Sequence, residues 1–291
     1  MSLQRLPMRL ESLERVTVRD CLKAARLPRL ESQLLLAHVL GVSRTWLIAH
    51  DDAELESQQA RHYLQLCAKR ELGQPVAYLL GQREFMGLML EVNPAVLIPR
   101  PETELIVTHV LEQIDAQAPV TILDLGTGSG AIAIALAKAC PAAVVFATDV
   151  SAQALAVAQS NAQRHEVPIT LLQGSWFDAL IGLDCPKFDA IVSNPPYIAK
   201  DDDHLLQPEL RCEPAIALTD GGDGLGAYRS ILASAARYLK PGGLVCVEHG
   251  FEQAPAVSGL FRQAGFSDVM TLPDLAGLPR VTAGSYNSEI R

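Results

Sequence analysis

The hydrophobic positions of the chain change their period twice. Over residues 16–72 apolar side chains recur at helical spacing, as at Leu30, Leu34, Leu35 and Val39, and the run is broken at Gly41, Ser43 and the Asp51 and Asp52 pair. This predicts a small helical bundle. Over 76–98 short apolar runs are punctuated by Gly81, Gly87, Asn93 and Pro94, which predicts a β-hairpin linker. Beyond Pro99, Arg100 and Pro101, strand-like runs alternate with helical ones. Strands are predicted over 120–125, 143–148, 169–173, 188–193 and 243–248, and helices over 131–139, 152–164 and 227–239. Alternating βα units imply an α/β fold, a doubly wound and mostly parallel sheet that binds ligands at the carboxyl ends of its strands. The chain has no internal repeat and no low-complexity segment.

Composition narrows the classes. With 291 residues, 49% hydrophobic and 20% charged, the chain is neither disordered nor fibrous and can build a large core in one big domain or two. Residues 1–80 carry 11 basic and 9 acidic side chains, a net +2, and the remainder carries 13 and 24, a net −11. The overall charge of −9 argues against a general phosphate-binding surface, so no direct nucleic-acid partner is expected. Six cysteines lie far apart with no Cys-x-x-Cys pair and no cluster of metal ligands around them, the usage of a reduced, cytoplasmic protein without a metal site. The apolar runs at 34–37 and 131–137 fall far short of the roughly 18 residues that cross a bilayer. In residues 1–29 the leucines are interrupted by Arg5, Arg9, Arg15, Arg19 and Arg26, which is not the apolar core of a secretory signal. No membrane association is expected.

The first chemical motif is Asp124-Leu-Gly126-Thr127-Gly128-Ser129-Gly130-Ala131, between a predicted strand and a predicted helix. Glycines there permit a sharp turn and close approach of a ligand to the backbone, and free amides at a helix start present partial positive charge. Gly126, Gly128 and Ala131 also satisfy a G-x-G-x-x-A dinucleotide pattern, so NAD and S-adenosyl-L-methionine both remain open, with a purely structural turn as the third reading. Asp149, 23 positions after Gly126, suits the two ribose hydroxyls of an adenosine in either cofactor, or it caps a helix. Trp176 can flank an adenine ring or serve the core.

The second motif is Asn194-Pro195-Pro196-Tyr197, after the strand predicted over 188–193. Two prolines fix the backbone and remove two amide donors, so carbonyls such as that of Pro195 can point outward as acceptors. With the Asn194 side-chain oxygen they can bind both hydrogens of a planar NH2 group while the Tyr197 ring stacks on its face. Asn-Pro-Pro is also an ordinary turn former, but its position at a strand end in the same α/β unit puts it where a methyl donor would point, and hydride transfer needs no such acceptor pair. His249, beside Glu248, is a tempting base to which a packing or hydrogen-bonding role is assigned. The Asp201-Asp202-Asp203-His204 run reads as solvated loop charge, because three successive carboxylates do not converge on one ion; attraction of a basic partner is its second reading.

Together these segments resemble the HemK/PrmC family of protein-(glutamine-N5) methyltransferases that modify translation release factors. The resemblance covers most of the chain: Pro-Val-Ala-Tyr-Leu-Leu-Gly at 75–81, Leu-Ile-Pro-Arg-Pro-Glu-Thr-Glu at 97–104, the glycine loop at 123–130, Ser-Asn-Pro-Pro-Tyr at 193–197 and the segment 239–243. Asn-Pro-Pro-Tyr also occurs in amino-methylating DNA enzymes, whereas the Pro-Arg-Pro-Glu-Thr-Glu segment is much more specific. One departure lies at Gly221-Gly222-Asp223-Gly224-Leu225, where many relatives have an extra residue after the glycine pair.

The resemblance implies a Rossmann-like class I S-adenosylmethionine-dependent methyltransferase sheet over 99–291, a hairpin linker over 76–98 and a helical substrate-engaging domain over 1–75. It implies that Gly126, Thr127, Gly128, Ser129, Gly130, Asp149, Trp176 and Asn194 contact S-adenosyl-L-methionine, released as S-adenosyl-L-homocysteine. Asn194, Pro195, Pro196 and Tyr197 would hold the substrate glutamine, with Asn194, Pro195 and Tyr197 catalytic. The implied target is the glutamine of the Gly-Gly-Gln motif of peptide chain release factors, and a monomer is the expected state. An amide nitrogen is a poor nucleophile because its lone pair is delocalised, so positioning has to compensate and no dedicated general base is expected. The competing readings are a ribosomal-protein glutamine methyltransferase, an N6-adenine nucleic-acid methyltransferase and an inactive translation-factor binding module.

Overall fold

The computed structural model describes residues 15–287. Residues 1–14, which carry part of the predicted helical domain and of the segment read as lacking a secretory signal, lie outside the described residues. The chain divides into two compact units, Met1–Gly81 and Gln82–Arg291.

The first unit contains β1 (Val16–Thr17), α1 (Val18–Ala24), α2 (Arg29–Leu40), α3 (Arg44–Ala49), β2 (Glu54–Leu55), α4 (Ser57–Glu71) and α5 (Val76–Leu80). Its helices begin and end where the side chains dictate. Thr17 and Asp20 form a reciprocal capping box at α1, Ser43 accepts the Trp46 amide at α3, and Gly41, at φ +67°, closes α2 in the left-handed conformation. Leu35, Leu36, Leu47 and Tyr63 fill the core, and the one polar tip among them, the Tyr63 hydroxyl, meets Ser32 Oγ at 3.1 Å. The bundle matches the periodicity. The segment 76–80 does not match the predicted hairpin: it is the helix α5, bracketed by Pro75 before it and left-handed Gly81 after it. A five-residue apolar run has no period of its own, so the helix could not be told from a strand by pattern.

The second unit opens with the hairpin of β3 (Gln82–Phe85) and β4 (Leu88–Glu91), so the hairpin occupies 82–91 of the predicted span. Phe85 pairs directly with Leu88, and the two turn residues, Met86 and Gly87, both have positive φ, as a two-residue hairpin turn requires. A 3-10 turn (Pro101–Thr103) leads into α6 (Glu104–Gln113). There follow β5 (Thr121–Leu125), α7 (Ala131–Ala139), β6 (Val144–Asp149), α8 (Ala152–Arg164), β7 (Ile169–Gln173), β8 (Phe188–Ser193), α9 (Ala215–Leu218), α10 (Gly226–Tyr238), β9 (Leu239–Glu248), α11 (Ala254–Gln263), β10 (Ser267–Pro273) and β11 (Pro279–Ser285). The seven strands form one sheet in the order β10-β11-β9-β8-β5-β6-β7. Five of them are parallel and β11 runs antiparallel to both β9 and β10, so the mostly parallel sheet is as predicted and an antiparallel pair is added at its edge.

The centre of this sheet is buried on both faces. Every residue of β5 is buried, and Ala131 to Ala137 of α7 are buried without exception. One face packs α6 and α7 together with Phe85 and Leu90 of the hairpin; the other packs Tyr228, Ile231, Val257 and Phe261 of α10 and α11. Chain order reverses between β5 and β8, and there the loops after the two strands diverge and leave a crevice at the carboxyl edge.

Candidate active site

The glycine loop leaves the end of β5 with Gly126, Gly128 and Gly130 at φ +71°, +56° and +84°, conformations that other residues adopt only under strain. The amides of Gly126 and Thr127 both donate to the Thr148 carbonyl at 2.9 Å, which hangs the loop on β6. A Cβ at Gly128 would meet nothing within 4 Å and one at Gly126 only the Trp176 ring, at 3.6 Å, so these two glycines wall open space. Gly130 differs. A Cβ there would come within 2.9 Å of Ile134 Cδ1 and 3.3 Å of Ala158, and this glycine lets α7 pack closely on α8.

Asp149 ends β6. Its Oδ2 accepts the Gly128 amide and its Oδ1 the Ser151 amide, each at 2.9 Å, while the Ser151 hydroxyl caps α8. Each carboxylate oxygen keeps further acceptor capacity. Trp176 begins the 3-10 turn after β7 at φ +47°, an uncommon conformation for a bulky residue, and this turn carries its ring beside Gly126. Beneath the loop, Asp124 is fully buried and accepts the Thr127 hydroxyl at 2.7 Å; burial pushes its carboxyl up to about 7 against the pull of that bond. Asn161 of α8 donates to the carbonyls of Ser129 at 2.9 Å and Glu91 at 3.0 Å and accepts the Glu91 amide at 2.7 Å, joining loop, helix and hairpin.

The other side of the crevice is set by β8 and β9. Ser193 pairs in parallel register with Val247, so the residues that follow them, Asn194 and Glu248, leave adjacent strand ends. Asn194 Nδ2 donates to Thr103 Oγ1 at 3.0 Å, Thr103 Oγ1 donates to Glu248 Oε2 at 2.5 Å, and the Tyr197 hydroxyl donates to Glu248 Oε1 at 3.3 Å. Burial raises the Glu248 carboxyl to about 7 despite these donors, and burial together with the neighbouring Glu248 charge raises the Tyr197 phenol. Gln253 holds the loop by donating to the Tyr197 carbonyl at 2.9 Å. Glu213, also buried, accepts Arg100 at 2.5 Å and the Ile98 amide at 3.0 Å, which ties the segment before Thr103 to the loop after the quartet. Among the described residues no donor occupies the carbonyl oxygens of Pro195 or Pro196.

Thr103, Gly126, Gly128, Asp149, Trp176 and Asn194 line one cavity of about 640 Å³, large enough for a nucleoside-sized ligand and a second side chain beside it. A ring next to Gly126, a carboxylate with spare acceptor sites and an open glycine wall fit an adenosyl group at one end. The Asn194 oxygen offers an acceptor at the other.

Comparison with known proteins decides between the chemistries left open. The PrmC N-terminal domain family matches residues 16–81, and the methyltransferase small domain family matches residues 102–226. The release factor glutamine methyltransferase of Bordetella pertussis is 51% identical over 267 residues, covering 92% of this chain and 98% of that protein. That of Burkholderia pseudomallei is 47% identical, covering 92% and 95%. The chain belongs to the release factor glutamine methyltransferase family. The fold is shared more widely: the T. thermophilus 16S rRNA N2 G1207 methyltransferase, solved in complex with AdoMet and guanosine, is 20% identical with a TM-score of 0.52 over 71% of this chain and 50% of that one. A methyltransferase domain means methyl transfer rather than hydride transfer, which sets aside the NAD reading.

Of the residues proposed from the sequence, Gly126, Thr127, Gly128, Ser129, Asp149, Trp176, Asn194 and Pro196 all reach the cavity wall. Gly130, Pro195 and Tyr197 do not form part of it: Gly130 faces α8, Pro195 is buried, and the Tyr197 ring packs on the core cluster beneath α10. His249 is buried, its Nδ1 on the Gly250 carbonyl and its Nε2 on the Thr282 hydroxyl, both at 2.9 Å, and burial lowers its pKa. It is buried and hydrogen-bonded, the role the sequence suggested. In the acidic run, Asp202 accepts the His204 amide and caps the turn that follows. No group of three or more potential metal ligands converges among the described residues. Thr103, Glu248, Glu213 and Asn161 were not singled out by sequence reasoning.

Proposed function

We propose that this chain transfers the methyl group of S-adenosyl-L-methionine to the side-chain amide nitrogen, N5, of the glutamine in the Gly-Gly-Gln motif of peptide chain release factors. The observation that carries this reading is the locked Asn194 amide: its NH2 end is bound to Thr103, which leaves its oxygen as an acceptor on the cavity wall. When bound, S-adenosyl-L-methionine supplies an electrophilic methyl on a sulfonium. Asp149 would accept the ribose hydroxyls, the Gly126–Gly130 loop would pass along the cofactor and Trp176 would flank the adenine. Asn194 Oδ1 would accept one N–H bond of the glutamine amide, and the Pro195 carbonyl, which has no donor among the described residues but lies behind the cavity wall, would accept the other once a local shift uncovers it. This fixes the nitrogen on the attack line and favours the positive charge that develops there as the C–N bond forms and the C–S pair returns to sulfur. The amide proton leaves after the transfer, so no base is assigned. Since Tyr197 lies under the wall, its part is to hold the quartet through Glu248, and stacking on the substrate requires its ring to move.

The helical unit, residues 1–75 in the sequence reading, would engage the release factor, and the chain would act as a cytoplasmic monomer. Among the described residues no helix is long and apolar enough to cross a membrane. Mass spectrometry of a release factor incubated with the protein and labelled donor tests the function. One added methyl on the Gly-Gly-Gln glutamine is expected. Label in nucleic acid or a ribosomal protein, with none in the release factor, would sink it.

A further inference from the structure

We propose that Thr103 and Glu248 are positioning residues that determine which end of the Asn194 amide faces the substrate. The inference rests on the glutamine-amide reading of the site and deepens it. The two ends of an asparagine amide have nearly the same shape, so half a turn about the last side-chain bond exchanges oxygen for NH2. Only the oxygen can accept an N–H from an incoming amide. The flipped side chain would present two donors to two donors.

The hydrogen-bond chain removes that freedom by direction. An ionised carboxylate accepts only, so Thr103, at 2.5 Å from Glu248 Oε2, must donate to it. A hydroxyl has one hydrogen. With that hydrogen directed at Glu248, Thr103 Oγ1 is left as an acceptor 3.0 Å from the Asn194 side chain, and only the NH2 end can satisfy it. The other oxygen of the same carboxylate takes the Tyr197 hydroxyl, so both ends of the quartet hang on one buried group. Thr103 stands in the 3-10 turn of the Pro-Arg-Pro-Glu-Thr-Glu segment, 91 residues before Asn194, and this gives the segment a chemical role.

Several charged or titratable groups surround Glu248. Glu102 disfavours its charge and Arg280 favours it, Tyr197 donates to it, Tyr228 donates to its backbone carbonyl at 2.9 Å, and His249 follows it as a neutral ring. With the carboxyl raised to about 7, acid places a proton on Glu248, and a protonated Glu248 can donate to Thr103. The hydroxyl can then turn, and the Asn194 orientation is no longer enforced.

Two substitutions at one position separate hydroxyl from volume. Thr103→Val keeps the shape and removes the hydroxyl; Thr103→Ser keeps the hydroxyl and loses a methyl. The expected result is a kcat for release-factor glutamine lowered about tenfold to a hundredfold by Val, with donor KM little changed, and largely recovered in Ser. A packing role reverses that order, and Ser as impaired as Val, or Val as active as wild type, overturns the proposal. If Thr103→Val melts too low to assay, the pH dependence of kcat decides. Wild type should lose activity below a pH near 7 and Glu248→Gln should lack that acidic limb; an unchanged limb overturns the proposal. A wild-type protein that leaves glutamine unmethylated would instead overturn the reading beneath it.

Discussion

Asn161 Nδ2 donates to the Ser129 carbonyl at 2.9 Å and to the Glu91 carbonyl at 3.0 Å, so a single buried amide on α8 clamps the glycine loop to the hairpin. A loop with three left-handed glycines has little stiffness of its own, and this clamp supplies it. Asn161→Ala leaves two carbonyls and the Glu91 amide without partners in a closed space, at a cost of about 2–4 kcal/mol. Chemical denaturation should show that loss, and calorimetry should show weaker binding of S-adenosyl-L-methionine although Asn161 does not line the cavity. Wild-type affinity in a folded Asn161→Ala protein would mean that the loop holds its shape unaided.

The loop of Gly221 to Leu225 is tightest at Gly224. At φ +76° a Cβ there would overlap the Tyr197 carbonyl oxygen and come within 2.9 Å of Gln253 Nε2. Asp220 gathers the amides of Gly222, Gly224 and Gly226 with bonds of 2.8, 3.1 and 2.7 Å, so the loop cannot back away cheaply. Gly224→Ala is therefore expected to push on the quartet. Stability should fall by about 1–2 kcal/mol from the backbone alone, and kcat should fall more than donor affinity. Steady-state kinetics with release factor checks the split.

What could be read from the chain was whatever a local rule encodes. Gly126, Gly128 and Gly130 announce positive φ, Pro195 and Pro196 announce a rigid strand exit, and β5 to β9 announce themselves by apolar runs between alanine-rich helices. The edge pair β10 and β11 had no such signal, because β10 is half-exposed and ends in Pro273. The helix α5 was hidden by its shortness. The site's supports were hidden for a different reason: Thr103 meets Glu248 across 145 residues, Ile98 meets Glu213 across 115 and Asn161 meets Glu91 across 70. Each is an ordinary polar residue until the sheet register brings its partner alongside. Tyr197 and Gly130 show the converse, motif members whose observed contacts are with the protein interior.

Asp149 carries two roles that one pair of substitutions can divide. Its oxygens accept the Gly128 and Ser151 amides and retain capacity for ribose hydroxyls. Asp149→Ala removes both functions and should weaken S-adenosyl-L-methionine binding by about tenfold to a hundredfold. Asp149→Asn must turn an NH2 toward one of the two backbone donors, so it should also lower the melting temperature. Isothermal titration beside thermal unfolding gives both readouts. Full affinity in the alanine variant would remove Asp149 from the cofactor site.

The buried Asp124 makes stability depend on pH in an unusual direction. Its carboxyl stands near 7 in the folded chain against an ordinary 3.8, because burial outweighs the Thr127 bond. Between those two values the folded state keeps a proton that the unfolded chain has released. Folding therefore loses free energy as pH rises from about 4 to about 7, by an amount on the order of 4 kcal/mol, and is insensitive to this group above that window. Glu248, raised in the same direction, adds a second such loss that persists in any Asp124 variant. Asp124→Asn cannot ionise and keeps an oxygen for the Thr127 hydroxyl. The wild type minus Asp124→Asn difference in urea stability should thus become less favourable to the wild type from pH 5 to about pH 7 and level off by pH 8. Trp176 fluorescence, with Trp46→Phe as background, would confine the signal to the unit that holds the site. A difference that stays flat across the range would mean that Asp124 keeps its charge in the folded protein, with the glycine loop paired to a carboxylate rather than to an acid.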